Sequence, residues 1–500
     1  ESYKSRKDIQ INQIQSDNSN KMKLILKCAL MLALTISASA CDKSDPLDKY
    51  RDTKWHEITE DDTPDTPLPD KPTVEVKGKK LYVNGEEFFV KGAATNGGNN
   101  KGDGSNPFFD TARERGANVV RTYSQINMSE LDDLARKGMY INMGLVIGKE
   151  SEGFDYSDET ARKKQISTLK GVVDRYKNHP AILMWCIGNE VESETKADGT
   201  SFKLNVNVWK DINEIGEYIK EVDGRPVTLA IMGIWPGLTE SLKKYIPSLD
   251  ILCVNNYEGA VENLNSNYQA AGFDYPYILS EFGIRGTWDD KTPHTDWFTK
   301  SANGGLIEPS GNEKAAVYKK IYSECVSGCA DKGCIGSFAF LWGWQTHGDV
   351  LNWYAMYDQF EASALPTVDA MEEMWTGKRP ENSAPVIASR EDGKVGGKIY
   401  IDGKTSDQNI SIGKGSSHMA SVDASDPDGD ELTYDWKIIT DVRQDVGKSM
   451  SPIPGLFTGK MGPQVNFKAP SNAGNYRLIV YVRDKAHGTA TCAVIPFKVI

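Results

Sequence analysis

The stretch ILMWCIGNE, residues 182–190, runs through apolar and small side chains and then stops on an amide and a carboxylate, Asn189 and Glu190. A parallel strand covered on both faces is apolar throughout, and polar residues appear where it emerges. Seven further β-rich runs surround this one: FFVKG (88–92), ANVVRTY (117–123), YINMGLV (140–146), PVTLAIM (226–232), DILCVNNY (250–257), YILSEF (277–282) and GSFAFLW (336–342). Between them lie segments such as ETARKKQISTLKGVVDRYKNH, whose apolar residues recur at three- and four-residue steps, as in a helix. Eight such units predict a closed (β/α)8 TIM barrel over residues 73–380 rather than an open doubly wound sheet. No Gly-rich dinucleotide fingerprint or P-loop follows the first run.

Outside this region the texture differs. Residues 384–500 hold short β-rich runs separated by Gly, Pro and Asp turns, which predicts an all-β immunoglobulin-like sandwich. The segment 42–72 is acidic and Pro-rich, the composition of a tether. Before it, residues 22–41 read MKLILKCALMLALTISASAC: a basic start, an apolar run too short to span a bilayer, then small residues before Cys41. This pattern resembles a bacterial lipoprotein signal, which implies lipidation at Cys41, an outer-membrane or cell-surface location, and residues 1–21 as upstream sequence. The net charge of −12 on 500 residues argues against nucleic acid or an anionic membrane surface as the main partner. The expected partner is an oligo- or polysaccharide, the membrane is met only through the lipid anchor, and the chain is expected to be a monomer. Cys325, Cys329 and Cys334 lie close together without a histidine, which suits one disulfide or free thiols better than zinc.

The active site of a (β/α)8 barrel lies at the C-terminal rim of its strands. Counting runs places Glu190 at the end of strand four and Glu281, in YILSEF, at the end of strand seven. Two carboxylates across one mouth suit glycosidic cleavage, in which one group protonates the leaving oxygen and the other attacks the anomeric carbon or activates water. Taken singly, an Asn-Glu pair is commonly a surface turn and a Trp in an apolar run is commonly core. It is the pairing of the two strand ends that carries the reading.

NHPAILMWCIGNE and YILSEFG resemble the strand-four and strand-seven signatures of clan A retaining glycoside hydrolases, especially the family 2 barrel. The resemblance implies Glu190 as acid/base, Glu281 as nucleophile, and no metal or organic cofactor. It further implies that Asn189, Arg121, Tyr257 and Trp342 bind the substrate, Trp342 as the floor of the cleavage subsite. Trp235, Trp288, Trp344, Gln345 and His347 fall in rim loops, where extra sugar subsites and loop packing are equal readings. TNGGNN, with Asn96, Asn99 and Asn100, offers amides to hydroxyls but stands where family 2 enzymes commonly have a His. The plan of the chain is similar to surface endo-β-1,3-glucanase lipoproteins, and NVVRTYS and CIGNEV echo β-1,3-glucanosyltransferases, so a β-glucan is the expected substrate. A transglycosidase or exo-acting glycosidase on the same site is one alternative; a glycan-binding surface lipoprotein on a retired barrel is the non-enzymatic one. Asp426, Asp428 and Asp430 in SDPDGDELTYDW alternate as Ca²⁺ ligands can, but an Asp-Gly turn explains them without metal. For this last domain a spacer or barrel-packing role fits better than sugar binding.

Overall fold

The computed structural model describes residues 67–95, 107–191, 205–286, 301–305, 307–344, 352–441 and 451–500. The chain divides into Glu1–Asp48 and Lys49–Ile500, and every described residue belongs to the second unit. The segment expected to be a lipoprotein signal, with Cys41, lies outside the described residues. Among those residues, no helix is long and apolar enough to cross a membrane.

Three short antiparallel strands come first, β1 (Val74–Lys77), β2 (Lys80–Val83) and β3 (Glu86–Glu87). Asn84 and Gly85 both take positive φ between β2 and β3, the two-residue turn that the Asn-Gly pair predicts. Eight parallel strands then close a barrel: β4 (Val90–Ala94), β5 (Val119–Arg121), β6 (Tyr140–Leu145), β7 (Ile182–Asn189), β8 (Val227–Ile231), β9 (Ile251–Asn255), β10 (Tyr277–Phe282) and β11 (Cys334–Ala339). All eight expected runs become barrel strands. The first is displaced, since Phe88 and Phe89 precede β4.

Closure between β11 and β4 depends on Gly336. Its φ is 132°, and a Cβ placed there would lie 2.2 Å from the Val90 carbonyl oxygen, so only glycine lets the last strand meet the first. The barrel strands are buried on both faces, which is why their sequences are continuously apolar instead of alternating.

The floor of the barrel is held by a buried ion pair. Asp223 has a fully buried carboxylate that receives the Trp185 indole N–H (2.8 Å), the Asn178 amide (3.0 Å) and Lys71 Nζ (2.9 Å), with Arg225 Nη1 at 3.3 Å. Burial alone would raise this carboxyl, but Arg225 and those donors hold it below the usual carboxylate range.

The C-terminal domain is a sandwich of two four-stranded sheets. Its core holds Trp436, Ile438, Leu478, Val480, Phe467 and Phe497. The sheet built on Leu432–Thr440, Gly474–Asp484 and Ala490–Val499 is buried on its outer face too, where Ile439, Ile479, Tyr481, Cys492 and Val494 pack together with Phe360 of the barrel domain. In the Asp-rich loop, Asp426 Oδ1 accepts the backbone N–H of Asp428 (2.8 Å) and Asp430 (3.2 Å), and Asp428 Oδ2 accepts that of Ser383 (2.7 Å). These carboxylates cap a turn, the metal-free reading of the motif. Of the two cysteine readings the structure has free thiols, Cys325, Cys329 and Cys334 among them.

The ion pair at the barrel floor lies at the end of the strands away from the catalytic rim and serves stability. Asp223→Ala strands a buried guanidinium and an indole N–H, and the expected loss is about 3 kcal/mol, measured from urea midpoints. Turnover per folded molecule is expected to stay unchanged.

Candidate active site

Strand β7 carries a built-in irregularity at its rim. Its pairing with β8 slips between Cys186 and Asn189, Gly188 sits at φ 84°, and Glu190 itself adopts φ 52°. Successive side chains of a regular strand point to opposite faces. The bulge lets both neighbours serve one site: Asn189 Oδ1 and Glu190 Oε1 each accept from the same amide, Asn255 Nδ2, at 3.0 and 2.8 Å. A left-handed glutamate is a strained conformation of the kind that collects at functional sites.

Opposite it, at the end of β10, Glu281 is only 6% exposed and fully engaged. Its Oε1 accepts from Arg121 Nη1 (3.0 Å) and the Tyr123 hydroxyl (2.8 Å), and its Oε2 from the Tyr257 hydroxyl (2.6 Å). Arg121, from β5, also donates to Asn189 Oδ1 (2.7 Å), the Ser280 carbonyl (2.7 Å) and Asn255 Oδ1 (3.3 Å). Ser280 Oγ donates to Asn255 Oδ1 as well (2.7 Å). The two carboxylates are therefore joined through Asn255 and Arg121 in one network. Both line a cavity of about 510 Å³, together with Asn255, Asn256, Tyr257, Arg285, Phe340 and Tyr354. That volume lies in the range of small-ligand sites, about 300–1,000 Å³.

The environments of the two acids differ. Burial pushes Glu190 above the ordinary carboxyl range and the nearby Glu281 charge pushes it further, against the opposing pull of Asn255. Tyr123 and Tyr257 are raised well above ordinary phenols, by burial first and by Glu281 next. They remain protonated donors to that carboxylate. One acid held by a cation and two phenols beside another biased toward its protonated form is a division suited to general acid catalysis.

Of the residues expected to bind substrate, Asn189, Arg121 and Tyr257 converge here. Trp342 does not. It is completely buried, donates its indole N–H to Thr111 Oγ1 (3.0 Å) and packs on Trp375 and Tyr357. The strand ends at Ala339 and Phe340 already faces the cavity, so the aromatic wall comes two residues earlier than the sequence suggests. Trp235 lines a separate shallow groove with Pro236, Glu240 and Asn267, and Trp344 packs with Ala355, Leu365 and Ala490. Asn96, Asn99, Asn100, Trp288, Gln345 and His347 lie outside the described residues.

Tyr123 and Asn255 were missed, although both lie in quoted runs: Asn255 is the first polar residue after the apolar ILCV of DILCVNNY, and Tyr123 closes ANVVRTY two residues past Arg121. In the sandwich, Asp430, Asp484 and His487 bring ligand atoms within 4.8 Å of one another, the one such group among the described residues. Asp484 there is occupied by Asn382 and the Ala486 amide.

Residues 113–300 match the family model described as glycosyl hydrolases family 2, TIM barrel domain. A beta-glucuronidase of Paenibacillus borealis is 25% identical over 239 residues, 42% of this chain and 38% of its own length. The mouse beta-glucuronidase is 27% identical over 240 residues, 42% of this chain and 33% of its own. The chain thus spans well under half the length of these relatives. Among solved structures, a Bifidobacterium dentium beta-glucuronidase aligns with TM-score 0.46 and 19% identity, covering 61% of this chain and 49% of the other. A beta-galacturonidase of Eisenbergiella tayi aligns with TM-score 0.45 and 17% identity, covering 61% and 55%.

A carboxyl whose folded pKa is raised contributes stability that is present below its unfolded pKa, about 4.3, and lost as pH rises through the folded value. Glu190→Gln keeps an acceptor for Asn255 and removes the charge. This variant is expected to melt at a higher temperature than the parent at pH 7, with the gap closing by about pH 4. Calorimetry at the two pH values checks it, and equal melting temperatures at pH 7 would contradict the assigned burial effect.

Proposed function

We propose that the chain is a retaining β-glycosidase working through a covalent glycosyl-enzyme intermediate. Glu281 attacks the anomeric carbon while Glu190 protonates the leaving oxygen; Glu190 then deprotonates the incoming water. The observation that carries this reading is the pair of acids on β7 and β10, linked through Asn255 and Arg121 and opening into one cavity. The match of residues 113–300 to the family 2 barrel supports it. Asn189 has its amide oxygen taken by two donors, which turns its NH₂ to be offered to a sugar hydroxyl. Phe340 and Tyr354 supply the aromatic wall.

For the substrate, a β-glucuronide is favoured. The curated relatives bear that activity in their names, and Arg285 in the cavity wall is a cation that a sugar carboxylate would meet. A neutral β-glucan, with β-1,3 linkage, rests on the sequence echoes alone and is the second arm of the test. The same proposal takes water as the acceptor, with transfer to a sugar as the alternative that product analysis detects, and places a lipid anchor on Cys41 at the cell surface, which lipid labelling checks.

The test is a panel of aryl β-glucuronide, aryl β-glucoside and β-1,3-glucan, with the anomer of the first product followed by NMR. Retention is expected. Glu190→Gln and Glu281→Gln are each expected to stay folded and to lose turnover by about 10³-fold or more. Full activity in either variant, or an inverted product, removes the assigned roles.

A further inference from the structure

We infer that the C-terminal sandwich is a positioning element of the catalytic cavity, acting on the nucleophile through Asn352, Trp353 and Tyr354; this rests on the glycosidase reading above. These three consecutive residues follow strand β11, and each is tied to a different part of the molecule.

Asn352 is 1% exposed, and its Oδ1 accepts the hydroxyl of Tyr481, a fully buried residue of the sandwich, at 2.5 Å. Its carbonyl accepts from Lys314 Nζ (2.5 Å), which also donates to Glu308 (2.6 Å). Glu308 in turn faces Arg477 of the sandwich at 3.7 Å, and Arg477 pairs with Asp441 at 2.8 Å. Trp353 donates its indole N–H to the carbonyl of Arg285 (2.8 Å), four residues beyond Glu281. The Tyr354 ring stands 5.4 Å from those of both Tyr257 and Phe340 and forms part of the cavity wall. Tyr257 is the phenol on Glu281 Oε2. A chain of direct contacts therefore runs from Tyr481 to the nucleophile.

A second tie lies just beyond. Asp358 has no exposed side-chain surface; it accepts from Arg483 Nη1 of the sandwich (2.8 Å) and from the backbone N–H groups of Phe360, Glu361 and Ser363. Burial opposes its charge, but Arg483 and those donors hold the carboxyl below the ordinary range. Buried polar ties of this kind fix one geometry and are a costly way to obtain adhesion alone. A module attached only to bind or to space would need neither of them.

Tyr481→Phe deletes one hydroxyl and keeps the ring, and Arg483→Lys keeps the charge and loses the fork. Both are made in the full chain, and active sites are counted by trapping the covalent intermediate with a 2-deoxy-2-fluoro glycoside of whichever sugar the wild type hydrolyses. Mispositioning predicts kcat per trapped site lower by about 10- to 100-fold with KM little changed, because the lost interaction is made in the transition state. A purely structural tie would lower the number of competent sites and leave kcat per site at the wild-type value, and that result in both variants overturns the inference. If Tyr481→Phe does not accumulate, Arg483→Lys decides on the same criterion. Failure of the wild type to hydrolyse any β-glycoside would instead overturn the proposed function on which the inference stands.

Discussion

The site depends on one buried cation. Arg121 is 1% exposed at the centre of the barrel mouth, and burying a guanidinium is costly unless its hydrogen bonds are met by well-placed acceptors. It draws those acceptors from three other strands, β7, β9 and β10, and so fixes their relative height. The same contacts that compensate the charge set Asn189, Asn255 and Glu281 around one space. Loss of Arg121 would leave Glu281 buried with its two phenols and without its cation partner.

The second constraint is backbone strain on the opposite wall. Left-handed glutamate is unfavourable by itself, and it persists because Glu190 N–H is held by the Ala230 carbonyl at 2.8 Å and its side chain by Asn255. The bulge converts an alternating strand end into a convergent one. Glu190 is then held in a setting that disfavours its own ionisation, a stability cost that proteins commonly carry where chemistry needs it.

Much of this was legible in the sequence, for identifiable reasons. Parallel barrel strands are covered on both sides, so their apolar runs stand out and can be counted, and Glu190 and Glu281 break two of those runs at the rim. Which residue after a strand end turns inward is not encoded in that pattern. Trp342 and Phe340 sit on the same apolar run, and only the path of the chain beyond Ala339 decides that Phe340 walls the cavity and Trp342 joins the core. Asn255 and Tyr123 were visible as polar residues at or near the ends of apolar runs, but their partners lie on other strands and no spacing reveals them. Tyr481 reads as an ordinary core tyrosine of a β-sandwich; that its hydroxyl crosses to Asn352 is a property of the docked domains.

Glu281 offers both carboxylate oxygens to phenols, Tyr123 on one and Tyr257 on the other. In the proposed cycle one oxygen becomes the bridging atom of an ester, and such an oxygen is a poor acceptor. Whichever oxygen attacks, its phenol is released for the lifetime of the intermediate, and it regains its partner only when the ester breaks. In that proposed cycle the arrangement would act like a compressed spring, loaded by bond formation and relaxed by departure of the sugar, and would bias the nucleophile toward being a good leaving group.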